Sequence, residues 1–382
     1  MRQQSVLLLG SYGQTNLGDD ILMWNYLNLL HDRGFKQIYV NANTAQNIPE
    51  IIKQKFPNLH IKITYGTSIS DWINIFKKVS FVVYGGGTIY KELYSSTGRG
   101  RYSVIIRIMM FNILAKMFGA KIYNLNIGIG VLKTGLGRAI TLMALKQAAL
   151  TFFRDSESYL VAKDSLGLPV QKIRLSTDGL FLSDVWQKTW HESSLKLPSG
   201  KFKKVVGINL LSDIPDWVNR EVYIMAARQF VAKLLQDNNL VLLLPFQHDF
   251  NPNNDYEFMK REIAAHFSDS RNLLLVDCMP IDEVVSVFKK LDIFVGMRFH
   301  SLLLATVATV PFVGIAYDTK CSRFLKENNY KYAVKLEDIN ESQINTSFQT
   351  LLNDLNEVPD ELQKITKAQL KEGQVCLKNL KF

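Results

Sequence analysis

Cysteine is scarce in this 382-residue chain: Cys278, Cys321 and Cys376 are three, and they lie far apart. An odd, scattered set builds neither a disulfide framework nor a metal site, and it fits a reducing cytoplasm. The six histidines are equally dispersed and show no ligand spacing, so no metal is expected. No apolar run is long enough to span a bilayer, because Arg107 and Lys116 interrupt one candidate and Pro311 the other. The start, Met1 to Gly10, has an apolar core too short for a signal peptide and runs straight into a glycine turn. That turn lacks the G-x-G-x-x-G spacing of a dinucleotide site and the lysine of a P-loop, which argues against both cofactor classes. Nor is there a dense basic block or a recognised nucleic-acid motif, so nucleic acid is not an expected partner.

What the chain does have is the composition of a soluble globular enzyme, 47% hydrophobic and 21% charged. Its length exceeds what one hydrophobic core usually organises, so two domains are expected. The formal charge of +10 favours anionic partners such as phosphorylated metabolites or the acidic face of a membrane.

Short apolar runs alternate with helical patterns along the chain. In the first half the runs are Ser5 to Leu9, Gln37 to Val40, His60 to Thr64, Phe81 to Tyr84, Lys121 to Leu125 and Ala149 to Phe153. This reads as a mostly parallel α/β sheet with helical crossovers. After the first run come GSYGQTNLGDD and a helix from about Ile21, with Asp19 or Asp20 as its N-cap or as a holder of a substrate hydroxyl. Three later strands end in Gly85-Gly86-Gly87-Thr88, in Gly128-Ile129-Gly130 and in Arg154-Asp155. Parallel strands end on one side, so these turns share a sheet edge, where glycine lets backbone amides approach a ligand or simply turns tightly. Arg154 directly follows a buried strand and either meets a ligand or pairs with a nearby carboxylate. Val104 to Gly119, apolar apart from Arg107 and Lys116, reads as a crossover helix, with a membrane-surface helix as the alternative.

The pattern dissolves between about 186 and 204, which is taken as a linker between a first domain at 1–185 and a second at 205–382 with a helical tail. The second half starts again with strands at Val205 to Asn209, Leu240 to Leu244 and Leu273 to Val276. His248 sits at the carboxyl edge of one of them, facing a crevice or holding a turn. Ile293 to Lys320 then forms a strand, turn, helix and strand, with Pro311 stopping the helix. Arg298 and His300 fall at the helix's amino end, where free N–H groups and the helix dipole favour anions. Arginine offers a planar fork for carboxylate or phosphate, and histidine passes protons near neutral pH. The pair suggests acid/base chemistry on an anionic substrate; the plainer reading makes Arg298 a carbonyl cap and His300 a helix-start residue.

Taken together, GSYGQTNLGDD, GGGTIYKE, FRDSES and VGMRFHSLLLA followed by PFVGIAYDTK resemble, in that order, the polysaccharide pyruvyltransferases. The likeness extends from residue 5 to about residue 320. It implies two Rossmann-like domains facing a cleft, of the glycosyltransferase-B kind. It also implies transfer of a pyruvyl group from phosphoenolpyruvate onto two sugar hydroxyls as a cyclic ketal. By the same resemblance Arg298 and His300 match the catalytic pair, Arg154 the arginine of the first domain, and Asn16 to Asp20 the acceptor-side glycine turn. One departure is Thr177-Asp178-Gly179, where the family's pattern has a proline after the aspartate.

These residues suit that chemistry on their own terms. Phosphoenolpyruvate carries a carboxylate and a phosphate, which Arg154, Arg298, Lys320 and His248 can meet as donor-side groups. His300 is the acid/base candidate, Arg298 stabilises the leaving phosphate, and Asn16, Gly18, Asp19, Asp20, Gly86 and Gly87 are the acceptor-side candidates. No cofactor is implied; phosphoenolpyruvate is a co-substrate. The expected partners are phosphoenolpyruvate and a sugar or lipid-linked acceptor, in the cytoplasm with a peripheral contact to the inner membrane face. Two alternatives remain: a nucleotide-sugar glycosyltransferase of the same fold, and a non-catalytic glycan-binding protein.

Overall fold

Strands buried on both faces read as unbroken apolar runs, and those runs become the two parallel sheets of the computed structural model. The structure describes residues 5–42, 50–56, 60–63, 68–93, 99–184, 191–248, 253–277 and 279–380. Cys278 and the first part of the expected linker lie outside them. The chain divides into two compact units, each with its own sheet.

The first unit contains residues 1–14, 19–184 and 369–382. Its strands are β1 (Ser5–Tyr12), β2 (Gln37–Ala42), β3 (His60–Ile63), β4 (Phe81–Gly85), β5 (Thr88–Tyr90), β6 (Lys121–Ile129), β7 (Leu150–Phe153) and β8 (Ile173–Leu175). They pair in parallel in the order β3-β2-β1-β4-β6-β7-β8, with β5 beside β6. Leu7, Leu9, Val82, Ile122 and Phe153 from the sheet pack with Ile105, Ile108, Ile140 and Ala144 from helices α2 (Ser103–Met117) and α3 (Gly135–Gln147). The apolar segment Val104 to Gly119 is thus a helix packed on the sheet. Gly128 does not sit in a turn as expected: β6 runs on to Ile129 because Thr88 and Tyr90 of β5 pair with Gly128 and Ile129.

The second unit contains residues 15–18 and 185–368. Its strands β9 (Val205–Asn209), β10 (Leu240–Leu243), β11 (Leu273–Leu275), β12 (Ile293–Gly296), β13 (Phe312–Ala316) and β14 (Ala333–Lys335) pair in parallel in the order β11-β10-β9-β12-β13-β14.

Three expected domain boundaries need correction, the first being residues 15–18, which belong to the second unit. The segment 191–204 is held on the second unit: His191 Nδ1 lies 2.7 Å from Asp282, the Ser194 N–H and hydroxyl each donate to Glu283 at 2.7 Å, and Lys290 donates to the Leu195 carbonyl at 3.0 Å. The tail, assigned to the second domain, gives its last residues to the first. There Arg33 donates to the Leu377 and Leu380 carbonyls at 2.8 and 3.3 Å, and Cys376 Sγ reaches the Leu175 carbonyl at 3.4 Å.

Candidate functional site

At the carboxyl edge of the first sheet, β4 ends in a turn whose Gly86 and Gly87 have φ of +69° and +78°, a left-handed backbone that favours glycine. The Tyr12 hydroxyl donates to the Gly85 carbonyl at 2.7 Å and the Gly86 N–H to the Leu125 carbonyl at 2.8 Å, so the turn is fixed from both neighbouring strands. Arg154, just past β7, is buried. Its Nη2 donates to Thr88 Oγ1 at 2.7 Å, its Nη1 to Asp178 at 3.4 Å, and its Nε lies 3.8 Å from Asp155. A buried guanidinium needs such partners, since an uncompensated buried charge is strongly destabilising. Asp178, in the segment that departs from the family pattern, is therefore the counter-ion of Arg154. It also caps the short helix after it, accepting from the Leu180 N–H at 3.0 Å.

Helix α1 (Leu17–Asp32) begins four residues before the expected start. Asp19 and Asp20 lie in its first turn, and the capping role belongs to Asn16, whose side chain accepts from the Gly18 N–H at 3.2 Å. Asp20 is buried and accepts from the Gly13 N–H at 3.2 Å. Burial, joined by the nearby Asp19 charge and opposed by that N–H, pushes its pKa up to about 7.

A cavity of about 780 Å³ opens beside the ends of β1 and β4. Trp72, Ile89 and Phe111 give it apolar walls, while Lys91, Arg99 and Arg107 give it three cations. Partial burial, together with the charge of Arg99, lowers the Arg107 pKa below its ordinary value. None of these residues is among the expected site residues; in the sequence Arg107 stands out only as an interruption of an apolar run. Gly86 and Gly87 do not line the cavity, but Thr88, the partner of Arg154, does.

In the second unit the expected pair sits where β12 meets helix α4 (Phe299–Ala308). Arg298 immediately precedes the helix. Its backbone N–H donates to Asn209 Oδ1 at 2.9 Å. Its Nε and Nη2 grip both oxygens of Asp255 at 2.8 and 2.7 Å, and Nη2 also reaches Gln247 at 2.8 Å. The Asp255 side chain is fully buried, and the Ser212 N–H donates to it at 3.3 Å. The guanidinium is thus locked in one orientation.

His300 packs on Gly18. A Cβ built on Gly18 would fall 2.6 Å from His300 Cγ and 2.8 Å from its Cβ, distances that no real side chain tolerates. Gly18 is glycine so that the imidazole can lie directly against its backbone. The segment around it is held by backbone bonds, from Leu17 N–H to the Phe246 carbonyl at 2.9 Å and from His248 N–H to the Thr15 carbonyl at 3.1 Å. Asn16 bridges to Gln247, the residue that also binds Arg298. Asn16, Gly18, His248, Arg298 and His300 are thereby brought together, and the His248 ring stands 5.1 Å from that of Tyr256.

Lys320 is engaged with Asp318 at 2.9 Å, and Asp318 in turn caps helix α5 (Thr319–Glu327) by accepting from the Cys321 N–H at 3.0 Å. Burial acts to raise the Asp318 pKa, but Lys320 and the hydrogen bonds from Cys321 outweigh it and hold the carboxyl below its ordinary value.

Both units carry the parallel-sheet α/β build of glycosyltransferase-B-type enzymes, and solved structures share it at low identity. The UDP-GlcNAc 2-epimerase of Neisseria meningitidis bound to UDP-GlcNAc matches with a TM-score of 0.64 and 10% identity, over 98% of each chain. A putative UDP-N-acetylglucosamine 2-epimerase from Listeria monocytogenes matches at 0.63 and 12% identity, over 99% of this chain and 94% of that one. The sucrose-phosphate synthase of Thermosynechococcus elongatus matches at 0.58 and 10% identity, over 98% and 97%. No curated protein matches the sequence. The family model for polysaccharide pyruvyl transferase matches residues 16–319, from the Asn16 cap to the start of the helix that carries Lys320. The chain belongs to the polysaccharide pyruvyl transferase family.

Proposed function

We propose that the protein moves the pyruvyl group of phosphoenolpyruvate onto two hydroxyls of a sugar in a cell-surface polysaccharide or its lipid-linked precursor, forming a cyclic ketal. The observation that carries this reading is His300, seated on the glycine turn of α1 beside an arginine fixed by a buried carboxylate. That is an acid/base group next to a preoriented donor of hydrogen bonds to an anion.

A proton added to the methylene carbon makes it a methyl and leaves an oxocarbenium-like centre at the adjacent carbon. The first sugar hydroxyl attacks that carbon and loses its proton. The carbon–phosphate oxygen bond then breaks, and the second hydroxyl closes the ketal, losing its proton in turn. Two protons leave the sugar; one balances the new methyl and the other departs with phosphate. His300 is the group assigned to these transfers, with Arg298 stabilising the phosphate as it leaves. Lys320 and His248, and Arg154 in the first unit, are the further donor-side groups. Asn16, Gly18, Asp19, Asp20, Gly86 and Gly87 are assigned to the acceptor. A carboxyl with a pKa of about 7, as for Asp20, is suited to exchanging a proton with a hydroxyl. The reading puts the enzyme in the cytoplasm, where phosphoenolpyruvate is available, in peripheral contact with the inner membrane face.

The structural neighbours named for UDP-GlcNAc favour a second reading, nucleotide-sugar transfer. Thermal unfolding separates the two. A ligand that binds only the folded state raises stability by about 2.7 kcal/mol at a hundredfold excess over its dissociation constant. Stabilisation by phosphoenolpyruvate and not by UDP-GlcNAc, lost in Arg298→Ala relative to that variant's own unfolding temperature, supports pyruvyl transfer. The reverse pattern moves the assignment to nucleotide sugars. Binding of glycan without turnover, unchanged in His300→Ala, marks a binding protein.

A further inference from the structure

From Arg99 to Arg154, both included, the chain carries nine lysines and arginines and no aspartate or glutamate. The whole chain has a formal charge of +10, so this stretch supplies nearly all of it and the remainder is close to balanced. Two packed helices, α2 and α3, make up much of the stretch. Ile105, Ile108 and Ala115 of α2 and Ile140, Ala144 and Leu145 of α3 face inward, and Asn112 Nδ2 donates across to the Ala144 carbonyl at 3.0 Å.

Their outward sides are not polar. On α2, Ile106, Met110, Ile113 and Met117 recur at steps of four, three and four, the spacing of a single helical stripe. They are 38%, 55%, 45% and 71% exposed. Leu136 and Met143, one heptad apart on α3, are 56% and 48% exposed. The exposed charges on these helices are Arg107, Lys116, Arg138 and Lys146, all cationic. An exposed apolar stripe set among cations alone is what an interfacial helix presents to an anionic bilayer. No helix among the described residues is long and apolar enough to cross one.

We propose that this face, formed by α2 and α3 of the first unit, docks on an anionic lipid bilayer, the apolar stripe entering the headgroup boundary and the cations meeting lipid phosphates. A second copy of the chain would complement the stripe but bring two strongly positive surfaces together, which opposes that pairing. Nucleic acid would answer the charge but leave the aliphatic stripe exposed to water. Helix α2 is also a wall of the cavity that Lys91, Arg99 and Arg107 line, so an acceptor held in the membrane would meet the protein next to that cavity. This last purpose rests on the transferase reading; the docking itself does not.

The test is flotation of the full chain with vesicles of phosphatidylcholine alone and with added phosphatidylglycerol, across a salt series. The protein is expected to float with the anionic vesicles about tenfold or more in excess over neutral ones, with salt weakening the binding. Met110→Gln/Met117→Gln and Lys116→Glu/Arg138→Glu/Lys146→Glu should each weaken binding by about tenfold or more. The control Lys326→Glu/Lys364→Glu/Lys367→Glu, with the same change of charge in the second unit, should stay within about twofold. Circular dichroism establishes that each variant is folded, and all these sites are exposed. Equal partition into both vesicle types, or helix variants that bind as wild type does, would overturn the proposal. So would a dimer in lipid-free solution that the methionine variant dissociates, or binding to an RNA homopolymer that outcompetes vesicles. Turnover is not the readout, so failure here leaves the pyruvyl-transfer reading standing, and failure of that reading leaves the docking result intact.

Discussion

Gly18→Ala adds a single methyl group on the first turn of α1, directly against the imidazole of His300. The new carbon would lie 2.6 Å from His300 Cγ and 2.8 Å from His300 Cβ. Carbon atoms rest at about 3.5–4.0 Å, so the imidazole must retreat by roughly 1 Å. Within a helix alanine is favoured over glycine by up to about 1 kcal/mol, which offsets part of the repacking. Overpacking against the His300 Cβ, which is tied to its backbone, costs about 1–3 kcal/mol, so a net loss of up to about 2 kcal/mol is expected, at about 2–4 °C of unfolding temperature per kcal/mol. Catalysis should change far more, because a 1 Å misplacement of a reacting group costs about a hundredfold. The assay is phosphoenolpyruvate-dependent phosphate release in the presence of an envelope saccharide fraction, with His300→Ala in parallel. Gly18→Ala should approach the loss seen in His300→Ala, and the double variant should lose little more, since both changes act on one group. A folded Gly18→Ala that releases phosphate at the wild-type rate would refute the claim that His300 works from this seat.

The buried charges and the tail carry further expectations. Asp255→Ala removes the carboxylate that grips the largely buried Arg298 and should cost about 3 kcal/mol, read by urea unfolding at neutral pH; a loss within error of zero would mean that water replaces the partner freely. Asp20 titrates near 3.8 when unfolded and at about 7 when folded, so the native state holds the proton more tightly. Its contribution to stability is therefore greatest below about pH 4 and declines as pH rises to about 7. At three pKa units the decline is at most ~4 kcal/mol, and Asp20→Asn should flatten the stability profile across that window; an unchanged slope would assign it to other groups. Gly373→Ala would drive a Cβ to 3.1 Å from the Phe181 carbonyl carbon and 3.2 Å from Leu182 Cα. Backbone cannot give as a flexible side chain does, so about 1–3 kcal/mol should be lost and proteolysis of the tail should speed up.

How far the sequence could be read depended on the range of the interaction. The long apolar strands announced themselves, since runs such as Val6 to Leu9 and Leu240 to Leu243 are buried on both faces. Of the three-residue strands, β11 stands in the apolar run Leu273 to Val276, but β5, β8 and β14 leave no periodic signal, and without β5 the glycine at Gly128 reads as a turn. Helix α3 is masked at its start by Gly135 and Gly137; Glu92, 42 residues away, accepts from the Thr134 N–H and hydroxyl at its cap, each at 2.8 Å. Gly18 delays the expected start of α1 for a similar reason, as glycine disfavours a helix and only its contact with His300 explains it. The edge positions of Arg154, Arg298 and His300 were legible from strand ends alone. Their partners were not, because Asp255 lies 43 residues from Arg298 and Asp178 lies 24 from Arg154. No local pattern encodes such pairs.

That hidden pairing changes how the cations must be understood. Positive charge was expected to attract the donor, yet Arg298 is paired with Asp255 and Lys320 with Asp318 in the second unit, as Arg154 is with Asp178 in the first. Paired charges attract a distant anion weakly, so what Arg298 offers is orientation. Asp255 and Gln247 hold its Nε and Nη2 edge, and a side chain already immobilised avoids about 0.5–1.5 kcal/mol of ordering on binding. Lysine keeps the charge but cannot grip Asp255 along one edge while facing a ligand with the other. Arg298→Lys should therefore bind phosphoenolpyruvate nearly as poorly as Arg298→Ala, by titration calorimetry on variants shown to be folded. A lysine variant that binds within about threefold of wild type, a difference of under 1 kcal/mol, would mean that charge alone suffices and that the Asp255 pair serves only the fold.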